Sequence, residues 1–129
     1  MAIAVARTNS PSAQAYQILH IGYAALPIMA GADKFLHFLA NWNQYLAPAV
    51  ARMLPLPVGT FMMVVGAIEV AAGLLVAFAP RIGAYVVAAW LAGIIVNLLM
   101  IPAYLDVALR DFGLALGALA LARIAEDYR

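Results

Sequence analysis

The stretch 58-VGTFMMVVGAIEVAAGLLVAFA-79 decides the fold class: apolar and small residues throughout, with one ionisable side chain, Glu69. About 20 mostly apolar residues cross roughly 30 Å of hydrocarbon as a helix, so this run reads as a membrane span. The chain around it has 129 residues, 67% of them hydrophobic and 10% charged, with a mean hydropathy of +0.98. A soluble domain of this size has too little interior to hide so much apolar surface. The expectation is therefore an all-α, polytopic transmembrane four-helix bundle forming a single membrane domain.

Working outward, Pro80 and Arg81 make a tight return into a second apolar run over 82–104, and a further span over 105–122 follows at once. Upstream, 40–57 carries Asn41, Trp42, Asn43, Gln44, Tyr45 and three prolines, too polar and proline-rich to cross. Trp42 and Tyr45 suit an interfacial aromatic belt there, and Val50–Leu54 reads equally as a surface helix or a plain connector. Before that loop, 16–39 is a span that Pro27 is expected to kink. Residues 1–15 read as a mobile N-terminal tail and 124–129 as a C-terminal tail, leaving 16–123 as the membrane domain. Both termini fall on one side with Arg7, Arg81, Arg123 and Arg129, against Lys34, Arg52 and Arg110 opposite, so the basic-residue bias places the termini in the cytoplasm.

Charge inside a bilayer is costly, which singles out Asp33, Lys34, His37, Glu69, Asn97, Arg110 and Asp111 as ligand-binding candidates. Helical spacing sorts them. Gly59, Gly66 and Gly73 repeat every seven residues beside Glu69, and Gly113 and Gly117 continue the stripe of Asp106 and Arg110. Trp90, Gly93, Asn97 and Tyr104 share another face. Small stripes let membrane helices approach, so Gly59, Gly66, Gly73, Gly93, Gly113 and Gly117 are the expected packing positions, and the polar groups should point inward. At about 1.5 Å per residue, Lys34, Asn97 and Arg110 lie roughly 8 to 10 Å below the loop-side ends of their helices, with Glu69 deeper. The expectation is a funnel opening away from the termini, with Glu69 at its floor.

Other chemistries find little to stand on. Seven basic and six acidic residues are scattered without a basic run, so nucleic-acid binding is unsupported. No cysteine is present, which excludes a disulfide framework and thiolate ligation within the chain. His20 and His37 lie about 25 Å apart along one helix, so they cannot share a haem, and no metal site is assigned; His20 reads as interfacial, and Asp33 with His37 as an ordinary helical pair. Three readings of the polar cluster stay open: an ion pair of Glu69 with Lys34 or Arg110 that fixes helix register; a site for a quinone head group, with Lys34, Arg110 and His37 as donors and Glu69 as proton carrier; and transport by an oligomer. A small-residue face of Gly113, Gly117 and Ala120 offers contact with another membrane subunit or a second copy.

Gly31-Ala32-Asp33-Lys34-Phe35, Glu69 followed by Gly73 and Leu74, and Arg110-Asp111-Phe112-Gly113 with Leu119-Ala120-Leu121-Ala122-Arg123 together resemble the DoxX-like family of small four-helix membrane proteins. The resemblance runs from Tyr16 to Arg123. It implies a bundle in a bacterial inner membrane, associated with oxidoreductases such as the small subunit of a thiosulfate:quinone oxidoreductase, and a role as a non-catalytic accessory subunit. Some members use cysteine; this chain has none, which tells against thiol chemistry, leaves quinone chemistry open and assigns no cofactor firmly.

Overall fold

The computed structural model describes residues 10–39 and 41–128; it is 86% helical, and no strand occurs among the described residues. Five α-helices follow in order: α1 (Pro11–Leu36), the short α2 (Pro48–Ala51), α3 (Val58–Phe78), α4 (Pro80–Leu99) and α5 (Leu105–Ile124), with single 3-10 turns at Trp42–Tyr45, Pro102–Tyr104 and Ala125–Asp127. Two of them, α3 and α4, are long and apolar enough to cross a membrane, with mean hydropathies of 2.3 and 2.1.

Local chemistry explains the boundaries. The Ser10 hydroxyl accepts from Ala13 N at 3.1 Å, and Pro11 sits at the first helical position, where its missing N–H costs nothing. The expected tail of 1–15 is therefore helical from Pro11 onward, because a Ser-Pro pair that reads as loop is also a helix start; the rest of it, 1–9, lies outside the described residues. Pro27 lies inside the continuous helix α1. That helix ends three residues before the expected Leu39, at Leu36, where His37 adopts a left-handed conformation (φ 59°) and donates its N–H to Asp33 O at 2.6 Å. Ala79 breaks α3 and Pro80 opens α4. The run expected to continue to Tyr104 stops as α-helix at Leu99, since Pro102 supplies no N–H, and 102–104 form a 3-10 turn. Pro48 likewise moves the short loop helix from 50–54 to 48–51 by occupying its first turn.

The helices pack as two close pairs, α1 with α3 and α4 with α5, joined chiefly through α3 and α4. Glycine makes the first pair possible. A Cβ on Gly66 would stand 2.6 Å from Gly31 O and 2.9 Å from Lys34 Cβ, and one on Gly73 2.6 Å from Ile28 Cγ1, so only hydrogen fits at the α1–α3 seam. Gly117 is in contact with Tyr23 and Gly83 with the α3 backbone at Val76. Gly59, Gly93 and Gly113, expected on packing faces, are not: a Cβ at Gly93 or Gly113 meets nothing within 4 Å, and one at Gly59 only Asn43 Nδ2 at 3.9 Å. Gly59 keeps the seven-residue spacing of Gly66 and Gly73, but among the described residues no helix lies against Gly59, Gly93 or Gly113.

The packed core sits in the half of the molecule nearest the termini. Ala72, Val76, Ala84, Val87, Ala88, Ala118, Leu121 and Ala122 are buried there, with Tyr16, Leu19, Tyr23 and Ile124 against them. The same end is tied by Tyr128 stacking on Tyr16 (centroids 4.8 Å apart), Ser12 Oγ to Tyr128 Oη at 2.9 Å, and Arg81 to Glu126 at 3.4 Å. His20, expected to be interfacial, turns its Nε2–H to Val76 O and Ala77 O at 2.9 and 3.1 Å, satisfying the free carbonyls at the end of α3. The opposite half is left open.

Candidate functional site

In that open half the two helix pairs diverge around a cavity of about 680 Å³. Its walls come from the last part of α1, the first part of α3, the last part of α4, the first part of α5 and the loop that follows α1. Most of the lining is aliphatic or aromatic, including Phe61, Met62, Val65, Leu91 and Ile94; into it project Lys34, Glu69, Asn97, Arg110 and Asp111. Five of the seven candidate residues are thus gathered in one space from four helices.

Lys34 and Glu69 form an ion pair across the α1–α3 seam, their side chains only 5% and 10% exposed. The close approach permitted by Gly31 and Gly66 brings the two backbones near enough for this pair. The Lys34 ammonium also lies 4.0 Å from the centre of the Trp42 ring, so one cation is shared between a carboxylate and an aromatic face. Glu69 lies on the cavity wall and not at its floor, because Ala72, Val87 and Tyr23 continue the lining toward the core. Arg110 pairs with Asp106 one turn away at 3.8 Å, both side chains more than 70% exposed, and so belongs to the rim. Asp111 is half-buried beside it.

Asp33 and His37 do not line the cavity. Asp33 is buried, but its carboxylate serves the loop: Oδ1 accepts from Phe38 N at 2.8 Å and Leu39 N at 3.0 Å, and Oδ2 from Trp42 Nε1 at 2.8 Å. His37 is exposed at the helix cap, a role set by its backbone; the Asp33–His37 link in the structure is the backbone bond of that cap. Helical periodicity places a residue on a face but does not register that the helix ends there and the chain folds back over it.

Asn97 plays a similar part from α4. Its Oδ1 accepts from Ala47 N at 2.8 Å and its Nδ2 donates to Tyr45 O at 2.6 Å, satisfying both ends of the amide on one stretch of loop. Tyr45 packs on Tyr104 with ring centroids 4.8 Å apart. The loop expected to lie at the surface as an aromatic belt is therefore clasped across the cavity mouth, and Trp42, Tyr45, Leu46 and Val50 become part of the lining. Sequence reasoning missed these residues as site residues; the available signal was two aromatics, Trp42 and Tyr45, within twelve residues of a buried Asp-Lys pair.

Among the described residues no group of three or more His, Asp or Glu side chains converges as a metal site. What the arrangement supplies is an apolar enclosure with a paired cation and carboxylate on one wall, a second pair at the rim, and aromatic rings above. Comparison with protein-family models, curated proteins and solved structures finds no match.

Proposed function

We propose that the chain is a four-span membrane protein of DoxX-like type that receives a quinone head group, or a similar polar-headed lipid, in its loop-side cavity and serves as a small accessory subunit of a bacterial membrane redox system. The observation that carries this reading is the cavity itself: an apolar enclosure of about 680 Å³ with Lys34, Glu69, Asn97, Arg110 and Asp111 projecting into it. Membrane placement is supported by α3 and α4, and by large apolar side chains turned outward on the other two long helices, such as Ile18 at 72% and Leu109 at 73% exposure. In this reading α1 and α5 also cross, and the termini face the cytoplasm.

A quinone carbonyl needs a hydrogen-bond donor, and its reduction needs protons. Lys34 provides the donor and Glu69, its buried partner, the group that exchanges a proton, while electrons arrive from a partner subunit. The chain has only two tryptophans, Trp42 and Trp90, and both line the cavity, so intrinsic fluorescence reports on its contents. The test is purification in mild detergent followed by lipid extraction. Stoichiometric quinone, with tryptophan emission recovering when it is removed, supports the reading; a preparation free of quinone whose emission is unmoved by added quinone refutes it.

A second reading, an assembly protein without ligand, is favoured by one observation. Gly113 and Ala120 leave an exposed small-residue stripe on α5 against which no helix packs among the described residues. Under this reading an empty protein always arrives with its redox complex, and replacing Gly113 by Leu releases it.

A further inference from the structure

The cavity is partly open, and where it opens bears on the kind of molecule that fits. Two of its ends are shut. Toward the termini lies the packed core, and across the mouth lies the loop held by six hydrogen-bond contacts to Asp33 and Asn97. Where the two helix pairs diverge they leave two flanks, one between α3 and α4 and one between α1 and α5, and of the two it is α1 and α5 that touch less. On α1, Ile28 and Gly31 face α3, whereas Leu26 lies roughly 160° around the helix from Ile28 at about 100° per residue. On α5, Gly117 meets Tyr23 of α1, and Leu114 and Arg110 continue that same stripe toward the loop end. Leu26 and Leu114 both line the cavity and yet are 53% and 42% exposed, which places them at an opening to the outside. Below them the flank is closed by the Tyr23 hydroxyl donating to Leu114 O at 2.5 Å.

Building on the reading of the cavity as a head-group site, we infer that its ligand is an amphiphile with an aliphatic tail, whose polar head lies at the Lys34–Glu69 pair and whose tail leaves sideways into the bilayer between α1 and α5, over Leu26 and Leu114. The portal edges are apolar where the tail passes and carry Arg110 nearer the loop end, where lipid head groups lie. A water-soluble compound gains nothing from such a path. For a lipid it removes the need to leave the membrane.

The full chain in phosphatidylcholine vesicles tests this with two probes, a dimethoxy-methyl-benzoquinone with a decyl chain and the same ring without it, each titrated against tryptophan emission and expressed per mole of quinone in lipid. Leu26→Phe combined with Leu114→Phe narrows the portal without touching Lys34, Glu69 or the loop, and Leu109→Phe, an exposed α5 position outside the lining, is the control. The expected result is binding of the decyl compound weakened about fivefold or more by the portal variant and unchanged by the control, with the tail-less ring unaffected by either. A portal variant that leaves decyl binding unchanged, or weakens both probes alike, overturns the lateral exit while the cavity reading stands. Failure of both probes to bind the unsubstituted protein overturns the cavity reading, and the exit with it.

Discussion

Lys34 on α1 and Glu69 on α3 are joined as a buried ion pair across the most extensive helix contact among the described residues, with the Trp42 ring over the ammonium. Removing one partner leaves the other charged and enclosed, which costs far more than the pair contributes. Lys34→Met alone should lower stability by about 3 kcal/mol or more, whereas Lys34→Met with Glu69→Leu should recover most of it. Denaturant unfolding in detergent measures both; a double variant as unstable as the single one would show that the pair itself holds α1 to α3.

The seam beneath that pair depends on absent side chains. Gly66→Ala pushes a Cβ against the Gly31 carbonyl and should destabilise by about 1 to 3 kcal/mol. Gly113→Ala, with open space around its Cβ, should be neutral or stabilising by up to about 1 kcal/mol through helix propensity. Thermal unfolding of the two variants side by side checks the contrast; equal losses would place Gly113 at a contact with another copy or subunit.

Asn97→Ala removes both of its bonds to the loop, at Tyr45 and Ala47, and leaves those to Asp33 in place. Ala47 is wholly buried, so its N–H is then left without a partner, at a cost of about 1 to 3 kcal/mol. Hydrogen exchange at Ala47 should accelerate and protease cutting between Asn41 and Pro48 should begin, while the helices keep their protection. Asn97→Asp keeps the acceptor for Ala47 but puts a carboxylate oxygen against Tyr45 O, so it should loosen the loop as well.

His37 occupies a left-handed conformation at the end of α1 that glycine adopts without steric cost. His37→Gly should be neutral or stabilising by up to about 1 kcal/mol, and His37→Val should cost about 1 to 2 kcal/mol. Because the side chain is outside the cavity, quinone titration should be the same for the glycine variant as for the unsubstituted protein.

The long helices are legible as uninterrupted apolar runs, but several of their ends are not. Helix α1 runs from Pro11 to Leu36 against the expected 16–39, and α4 stops at Leu99 short of Tyr104, because Ser10 with Pro11, the His37 cap and Pro102 set those ends locally. The inward direction of Glu69 is equally legible, since a carboxyl among glycines on one helical stripe has only one economical orientation. Spacing does less for Asp33, His37 and Asn97. It assigns each to a face, but a face is defined only relative to its own axis, and periodicity carries no information about an aperiodic loop.

The amino-acid sequence by itself determined that the chain is helical and approximately where its long helices run, because these depend on hydropathy and on contacts within a few residues. Tertiary structure decided which polar residues share a space. Lys34 reaches Glu69 because Gly31 and Gly66 let two helices touch, and Trp42 joins them because Asp33 and Asn97 draw the loop back across the mouth. The cavity, its apolar floor and its flank between α1 and α5 exist because the core is packed at one end only, and that depends on how the four long helices diverge, which no single stretch of sequence encodes.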